Sequence, residues 1–515
     1  MKTKIIPLIG DPVENFYQLG LVEKEAFLKI ESRIKNLLST SSLLQFGQEL
    51  ITRAKVIVHK REAGLFDKCI TSYSKGLGID PARYYTFISL FELAAHFGQT
   101  YPELKGILPG CTSFFLKKDD EITHTRLMDF PLVGLFDEAP RLYFWQSEGK
   151  EPVLTYGTEG MAPLFLQGVH GSGVSFAIHH KPGKLFFNEG QSIFQIVFET
   201  IFGSNNFSEL KKELKKKKSI TKWAVLLLDK LGSAHILDIE GPSHNFESYN
   251  LNETSPLIFT NIPLKKESDG FDSYLRFSED RQEWLKEKIQ SKKDVHILDL
   301  MTSIDDQKYK NWLHPVATLS TIGAWHVNLS KGYIDLKEGH SALTSSDQIL
   351  RVNLAGQNDI KILKKSSDPR PIEIAWKKAS KAQCAFDEGH YDIAYHELQM
   401  AESVMPNLVW KQIFNFYLCV WDFKFVNNSK ELSIVYKKLK SLVLPPILKD
   451  QWILLVMRIE KKLDLSPTVF FTDVSKPYQE LFQREKLASK PVFATWMKLV
   501  YPRMEVLDIF SPHHK

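Results

Sequence analysis

Cys111, in the stretch Leu108-Pro109-Gly110-Cys111-Thr112-Ser113, invites a chemical reading more than any other residue. A cysteine that follows glycine at the start of a β-rich run is ordinarily a small buried hydrophobe. The glycine also removes side-chain bulk and admits tight backbone geometry, which attack of a thiol on the preceding carbonyl would require. A second strand is due soon after by hairpin logic, and it carries His124-Thr125-Arg126-Leu127-Met128-Asp129-Phe130. Alternation along a strand turns some of these polar side chains toward the first. Arg126 beside the sulfur would favour thiolate over thiol. Alternatively, Arg126 and Asp129 form a surface pair of little energetic weight. Spacing alone does not choose between these.

Other reactive constellations are sparse. The four cysteines, Cys69, Cys111, Cys384 and Cys419, lie far apart with no C-x-x-C pair, which argues against a disulfide framework or a zinc site. His170 and His180 have no second histidine or carboxylate at ligand spacing, so no metal is expected. The run Gly168 to Gly173 is not a dinucleotide fingerprint, because no strand-to-helix unit with a later acidic residue surrounds it. Asn261, taken alone, reads as a turn residue ahead of Pro263.

The elements that must position these groups follow from periodicity. From Glu14 to Tyr101 the chain reads as helical, with apolar residues spaced by three and four over Val22–Leu38, Ser42–His59 and Arg83–His96. The pattern then changes to short β runs at Thr112–Leu116, Glu121–Arg126, Leu142–Gln146, Val153–Tyr156 and Val174–Ile178. Helices over Ser192–Phe202 and Phe207–Lys218 follow, then strands at Ala224–Leu228, Ser233–Ile239 and Leu257–Thr260. A helix over Asp280–Gln290 precedes strands near Thr318–Val327 and Gly332–Asp335. Strands, helices and strands in that order imply an α+β layered domain rather than alternating βαβ units. Residues 356–371 read as a polar linker. Residues 372–515 read as helical, with Gly389, Ala394, Ala401 and Pro406 spaced as in a tetratricopeptide-type hairpin. One such unit cannot bury its own face, so a generic helical domain packed on its neighbour is an equal reading.

With 515 residues the chain has room for two or three folding units. Its 66 basic against 61 acidic residues give a net charge of +5, too weak a bias to imply a nucleic-acid partner. The densest basic run, Lys211 to Lys218, reads as a solvated helix face. The start, MKTKIIPLIGDP, is too short in apolar residues for a signal peptide, and no run approaches the roughly 18 apolar residues of a membrane span. A cytoplasmic protein is expected.

Five motifs in order resemble the acyl-coenzyme A:6-aminopenicillanate acyltransferase family, within the N-terminal-nucleophile hydrolases and related to choloylglycine hydrolases and acid ceramidase. They are Gly10-Asp11-Pro12 through Gln18-Leu19-Gly20, then Gly110-Cys111-Thr112-Ser113, Arg126 to Phe130, Thr260-Asn261, and Ser273-Tyr274-Leu275-Arg276. The resemblance runs from about Ile6 to Asp335. It implies a four-layer αββα fold, with residues 1–110 as a helical pro-segment retained as a subunit and residues 111–355 as the catalytic domain. It also implies a zymogen that cuts itself between Gly110 and Cys111. The freed α-amino group, with an ordinary pKa near 8, would serve as base for its own thiol. Arg126 would sit beside the sulfur, Asp129 would hold the amine, Asn261 would donate to the oxyanion, and Arg276 would brace the site. An acyl amide or acyl thioester would be the substrate, with no cofactor beyond acyl-coenzyme A as a potential co-substrate.

The chain also departs from the family. Leu127 replaces the usual asparagine, Thr125 a frequent glycine, and His170-Gly171 an Asn-Glu turn. His180 stands where relatives carry an asparagine or acidic residue, which makes His180 and His170 candidates for substrate contact; His180 is equally readable as structural. These departures, with the C-terminal helices, leave a second reading open: an unprocessed, non-catalytic protein of the same fold that acts as a binding module.

Overall fold

The computed structural model describes residues 3–38, 64–97, 110–130, 134–162, 164–181, 186–264, 272–291, 295–304, 316–354, 360–445 and 448–474, with 479, 482–483, 486–487 and 504. The expected helix at Ser42–His59 lies outside them.

The chain opens not on a helix but on strand β1 (Lys4–Ile9). Gly10 then turns with φ of 96°, a conformation open to glycine. The Asp11 carboxylate accepts from the amides of Val13 and Glu14 at 2.7 and 3.0 Å, capping α1 (Pro12–Leu38), and proline at the first helical position costs no bond. α2 (Leu65–Leu77) crosses α1 where two glycines meet. A Cβ on Gly20 would lie 2.3 Å from the Tyr73 carbonyl oxygen, and one on Gly76 would lie 2.2 Å from that of Tyr17. The glycine of the opening motif is therefore a helix-packing requirement. α3 (Pro81–Phe97) completes this segment.

Next come β2 (Gly110–Lys118), β3 (Glu121–Asp129), β4 (Pro140–Gln146), β5 (Val153–Thr158), β6 (Gln167–His170) and β7 (Val174–His180). Helices α4 (Ile193–Gly203) and α5 (Phe207–Leu214) lead to β8 (Ser219–Asp229), β9 (Ser233–Gly241), β10 (Ser243–Asn250) and β11 (Leu257–Phe259). α6 (Asp272–Ser291) and α7 (Ile297–Met301) precede β12 (Thr321–Asn328), β13 (Tyr333–Glu338), β14 (Gln348–Asn353) and β15 (Ile360–Lys364).

Two sheets result. The first runs β1-β4-β5-β6-β7-β8-β9-β10, with only the β1–β4 pair parallel, and the second runs β11-β2-β3-β12-β13-β14-β15. Period-two alternation assigns the faces. On β2, Ser113 reaches His179 of the first sheet while Thr112 reaches Arg281 of α6. Phe114 and Leu127 pack with Trp284 and Leu285 of α6 in a separate apolar cluster on the outer face. On the far side of the first sheet, Phe16 of α1 stacks on Trp145 at 5.1 Å and meets Phe198 of α4 at 5.8 Å. Helices thus cover both outer faces of two apposed sheets, the four-layer αββα arrangement expected.

Ile360–Lys364, inside the stretch 356–371 read as a linker, is the last strand of the second sheet, paired with β14. Five helices follow: α8 (Pro371–Asp387), α9 (Tyr391–Val404), α10 (Leu408–Phe425), α11 (Ser429–Ser441) and α12 (Lys449–Lys462). The α8–α9 hairpin turns at Gly389 and buries Ala375, Ala379, Ala394 and Ala401 where the helices meet. These helices share a core with Ile304, Leu319 and Ala342 of the sheet domain, and Arg370 donates to the Ile304 carbonyl at 2.7 Å. Among the described residues no helix is long and apolar enough to cross a membrane.

Glu23 of α1 is buried against the first sheet and accepts from Tyr73, Tyr143 and the Gly160 amide at 2.7, 2.9 and 3.2 Å. Burial pushes its carboxyl up from 4.5 to about 7, against the pull of those bonds. The folded chain holds this proton more tightly than the unfolded one. The resulting stabilisation is complete below the unfolded value and is lost as pH rises through about 7. At roughly 1.4 kcal/mol per unit, it amounts to about 3 kcal/mol. Glu23→Gln should therefore gain several degrees of Tm relative to the native protein as pH is raised from about 5 to about 8 in paired thermal melts. An offset that does not change with pH would contradict this.

Candidate active site

Cys111 is the second residue of β2, and its side chain faces the space between the sheets, 5% exposed. The hairpin register sets Gly110 opposite Asp129, Cys111 opposite Met128 and Ser113 opposite Arg126. Arg126 reaches back along the strand, and its Nη2 donates to Cys111 Sγ at 3.1 Å. Its remaining bonds go to main-chain carbonyls, Leu166 at 2.6 Å and Ile178 at 2.7 Å. Among the described residues no carboxylate pairs with it. A buried guanidinium is costly without polar partners; here they are the sulfur and two carbonyls, with the Asp129 carboxylate acting from further off.

Gly110 occupies an extended strand position, so its role is space rather than an unusual φ. A Cβ there would sit 3.0 Å from Asp129 Oδ2. Asp129 is fully buried; it accepts from Thr321 Oγ1 at 2.6 Å and pairs with Arg281 Nη1 at 3.2 Å. Burial raises its carboxyl pKa, opposed by Arg281 and Thr321.

Arg281, on α6, is the residue that sequence reasoning missed. Its Nη1 also donates to Thr112 Oγ1 at 2.7 Å and the Cys111 carbonyl at 3.3 Å, and its Nη2 donates to Asn261 Oδ1 at 2.9 Å. The side chain of Arg276 lies outside the described residues. The signal was present: Ser278-Glu279-Asp280-Arg281 repeats the Ser-x-x-Arg spacing of Ser273 to Arg276 five residues later.

Asn261 is fully buried, and its amide orientation is dictated by its partners. Oδ1 faces two donors, the Cys111 amide at 3.0 Å and Arg281, while Nδ2 donates to the His180 carbonyl at 2.8 Å. The expected donor to an oxyanion thus presents its oxygen to the nitrogen of Cys111. Its turn is held by Lys181, whose buried ammonium donates to the carbonyls on either side, Thr260 at 2.8 Å and Ile262 at 2.6 Å. Burial lowers the Lys181 pKa, with Asp238 and Cys111 opposing. His179 donates from Nδ1 to the same Thr260 carbonyl at 3.3 Å, which leaves Nε2 to accept from Ser113 at 2.8 Å. Burial holds this ring well below the usual histidine range, in the neutral form that such bonding needs.

A cleft opens onto the sulfur, walled by Phe91, Phe130, Phe136, Phe194, Trp223 and aliphatic residues, with Arg126, Asp129 and His180 as its polar lining. His180 stands edge-on to Trp223 at 5.2 Å. His170 does not join it. Its ring bonds Ser172 Oγ at 2.7 Å and the Ser204 carbonyl at 3.1 Å, ties between β6 and the end of α4. The departures at Thr125 and Leu127 lie on the outer face of β3: Thr125 bonds His326 at 2.8 Å, and Leu127 packs in the α6 cluster. Neither side chain lines the cleft.

No family model and no curated protein matches the sequence. Similar solved structures include an N-acylethanolamine-hydrolyzing acid amidase ortholog from Caenorhabditis elegans, with 13% identity and a TM-score of 0.26, over 43% of this chain and 93% of that one. Others are a conjugated bile acid hydrolase from Clostridium perfringens, with 13% identity and a TM-score of 0.32 over 50% and 99%, and a penicillin V acylase from Agrobacterium tumefaciens, with 12% identity and a TM-score of 0.27 over 50% and 99%.

Replacing Arg281 by methionine strands the Asp129 carboxylate, so Arg281→Met should lose about 3–5 kcal/mol in denaturant unfolding. The same change at Arg276 is the comparison. An equal or greater loss there would move the bracing role to Arg276.

Proposed function

We propose that the chain is an autoprocessing N-terminal-nucleophile amidohydrolase or acyltransferase whose nucleophile is the Cys111 thiolate. The observation that carries this reading is the buried Arg126 guanidinium, bonded to the sulfur at 3.1 Å and otherwise only to carbonyls. The guanidinium thereby places positive charge directly on the sulfur, which favours the nucleophilic form.

In the first step Sγ attacks the Gly110 carbonyl carbon. The C–N bond breaks, the Cys111 nitrogen leaves as an amine after taking a proton, and a thioester joins Gly110 to Sγ. Water hydrolyses the thioester, giving a Gly110 carboxylate and restoring the thiol. Asn261 Oδ1, already 3.0 Å from the Cys111 nitrogen, would then hold the new amino group. Asp129, braced by Arg281, supplies negative charge beside Gly110 for the ammonium form.

In turnover the α-amino group, with an ordinary pKa near 8, takes the thiol proton, and Sγ attacks the substrate acyl carbon. The leaving amine or thiol departs with that proton, and an acyl-thioester remains on Cys111. Water as acceptor yields the acid; an amine or alcohol yields a transferred acyl group. The aromatic and aliphatic walls of the cleft suit a hydrophobic acyl group, with the polar lining gathered near the sulfur.

Denaturing mass spectrometry of the purified protein tests the reading. Two chains beginning at Met1 and Cys111 are expected, and Cys111→Ala should remain whole and turn over no acyl amide. A native chain that stays uncut after long incubation would refute self-cleavage, and equal turnover by Cys111→Ala would refute the thiolate.

A further inference from the structure

Glu92 lies on α3, next in sequence to Phe91 of the cleft wall, and is fully buried. It belongs to the segment ahead of Cys111, yet every partner of its carboxylate lies beyond Cys111. Ser192 donates its hydroxyl to Oε2 at 2.7 Å and Thr221 donates to Oε1 at 3.0 Å, with the Ile193 amide at 3.4 Å. Ser192 is the N-cap of α4 and in turn accepts from the amide of Phe194. Thr221, on β8, accepts from the indole nitrogen of Trp223 at 2.8 Å. Phe91, Phe194 and Trp223 come from three different elements and all line the cleft.

One carboxylate therefore fixes the relative positions of three apolar walls from behind. A buried carboxylate is expensive to keep, and apolar residues of similar size could fill the same space. What they could not supply is a point directed at α3, α4 and β8 at once. We propose that Glu92 is a positioning residue that sets the width of the acyl cleft and so selects the length of the acyl group accepted at Cys111. This inference rests on the reading of the cleft as an acyl site.

Burial holds the Glu92 carboxyl near 7 rather than 4.5, so glutamine is a close mimic of its protonated form and serves as the conservative control. The test uses the full-length chain with Cys111→Ala, which cannot turn over its ligand. Saturated fatty acids from octanoate to palmitate compete with a fluorescent fatty acid, and the order of their affinities is read. Adding Glu92→Ala frees the walls and should move the preference toward longer chains by about five-fold or more, the scale of one lost hydrogen bond. Glu92→Gln should keep the native order. Should Glu92→Ala fail to fold, Thr221→Val removes only the tie to β8 and Trp223 and should shift the order the same way.

An unchanged order with uniformly weaker affinity in Glu92→Ala would overturn the proposal and leave the acyl reading intact. If the Cys111→Ala protein binds no fatty acid of any length, the acyl reading and this inference fall together. A shifted order in a protein whose native form never cuts itself would support the role of Glu92 and refute only the self-cleavage.

Discussion

The Arg281 guanidinium is shared among β2, β3, the turn at Asn261 and its own helix, through Thr112, Asp129, Asn261 and Ser278. Its partners come from four separate parts of the chain, which it ties to one another beside Cys111. A lysine could deliver the charge but not the fork, because separate Nη1 and Nη2 directions are what allow the strand hairpin and the asparagine to be held together. Burial makes the arrangement all-or-nothing. In a site of low dielectric the ion pair with Asp129 is strong while complete, and each half is costly alone. The sheet edge, the outer helix layer and the site are thereby made interdependent.

Charge bookkeeping around the sulfur reinforces this. Arg126, Arg281 and Lys181 bring three cationic groups, 2%, 1% and 3% exposed, around Cys111 and the turn at Asn261. Asp129 answers Arg281, and Asp238 acts on Lys181 from a distance. Arg126 has carbonyl dipoles and the thiol. Asp129 also acts on Arg126, and it is the geometry of β3, turning Arg126 inward and Leu127 outward, that brings this guanidinium to Sγ. The same alternation explains why the substitutions at Thr125 and Leu127 leave the cleft lining untouched.

Much of the site was legible in sequence because its parts are local. Gly110, Cys111, Arg126 and Asp129 sit on one hairpin, and a period of two is enough to bring them together. What was not legible depends on long-range closure. Choosing Arg281 over Arg276 required knowing which face of α6 meets β2, and the two share the same local spacing. Asn261 was placed at the site, but the direction of its amide follows from donors about 150 and 20 residues away in sequence. His170 shows the converse: a histidine in a glycine-rich turn resembles a site residue until the Ser204 carbonyl supplies its partner. In the fold, β1 was missed because six residues beginning Lys-Ile-Ile-Pro carry no alternation, and β15 because a polar edge strand resembles a linker.

The N-terminal segment is bound to the rest of the protein by much more than the peptide bond at Gly110. β1 pairs in parallel with β4 over six residues, Glu23 joins Tyr143 and Gly160, Phe16 stacks on Trp145, and Glu92 anchors in α4 and β8. Each contact crosses from residues before Cys111 to residues after it and buries apolar or hydrogen-bonded surface whose release would expose the first sheet. Breaking one covalent bond beside Cys111 would remove none of them. It would free the Cys111 nitrogen while leaving every wall of the cleft, Phe91 included, where it stands. A cleft that takes Phe91 from the leading segment would keep that wall after scission at Gly110 only if the segment is held this way.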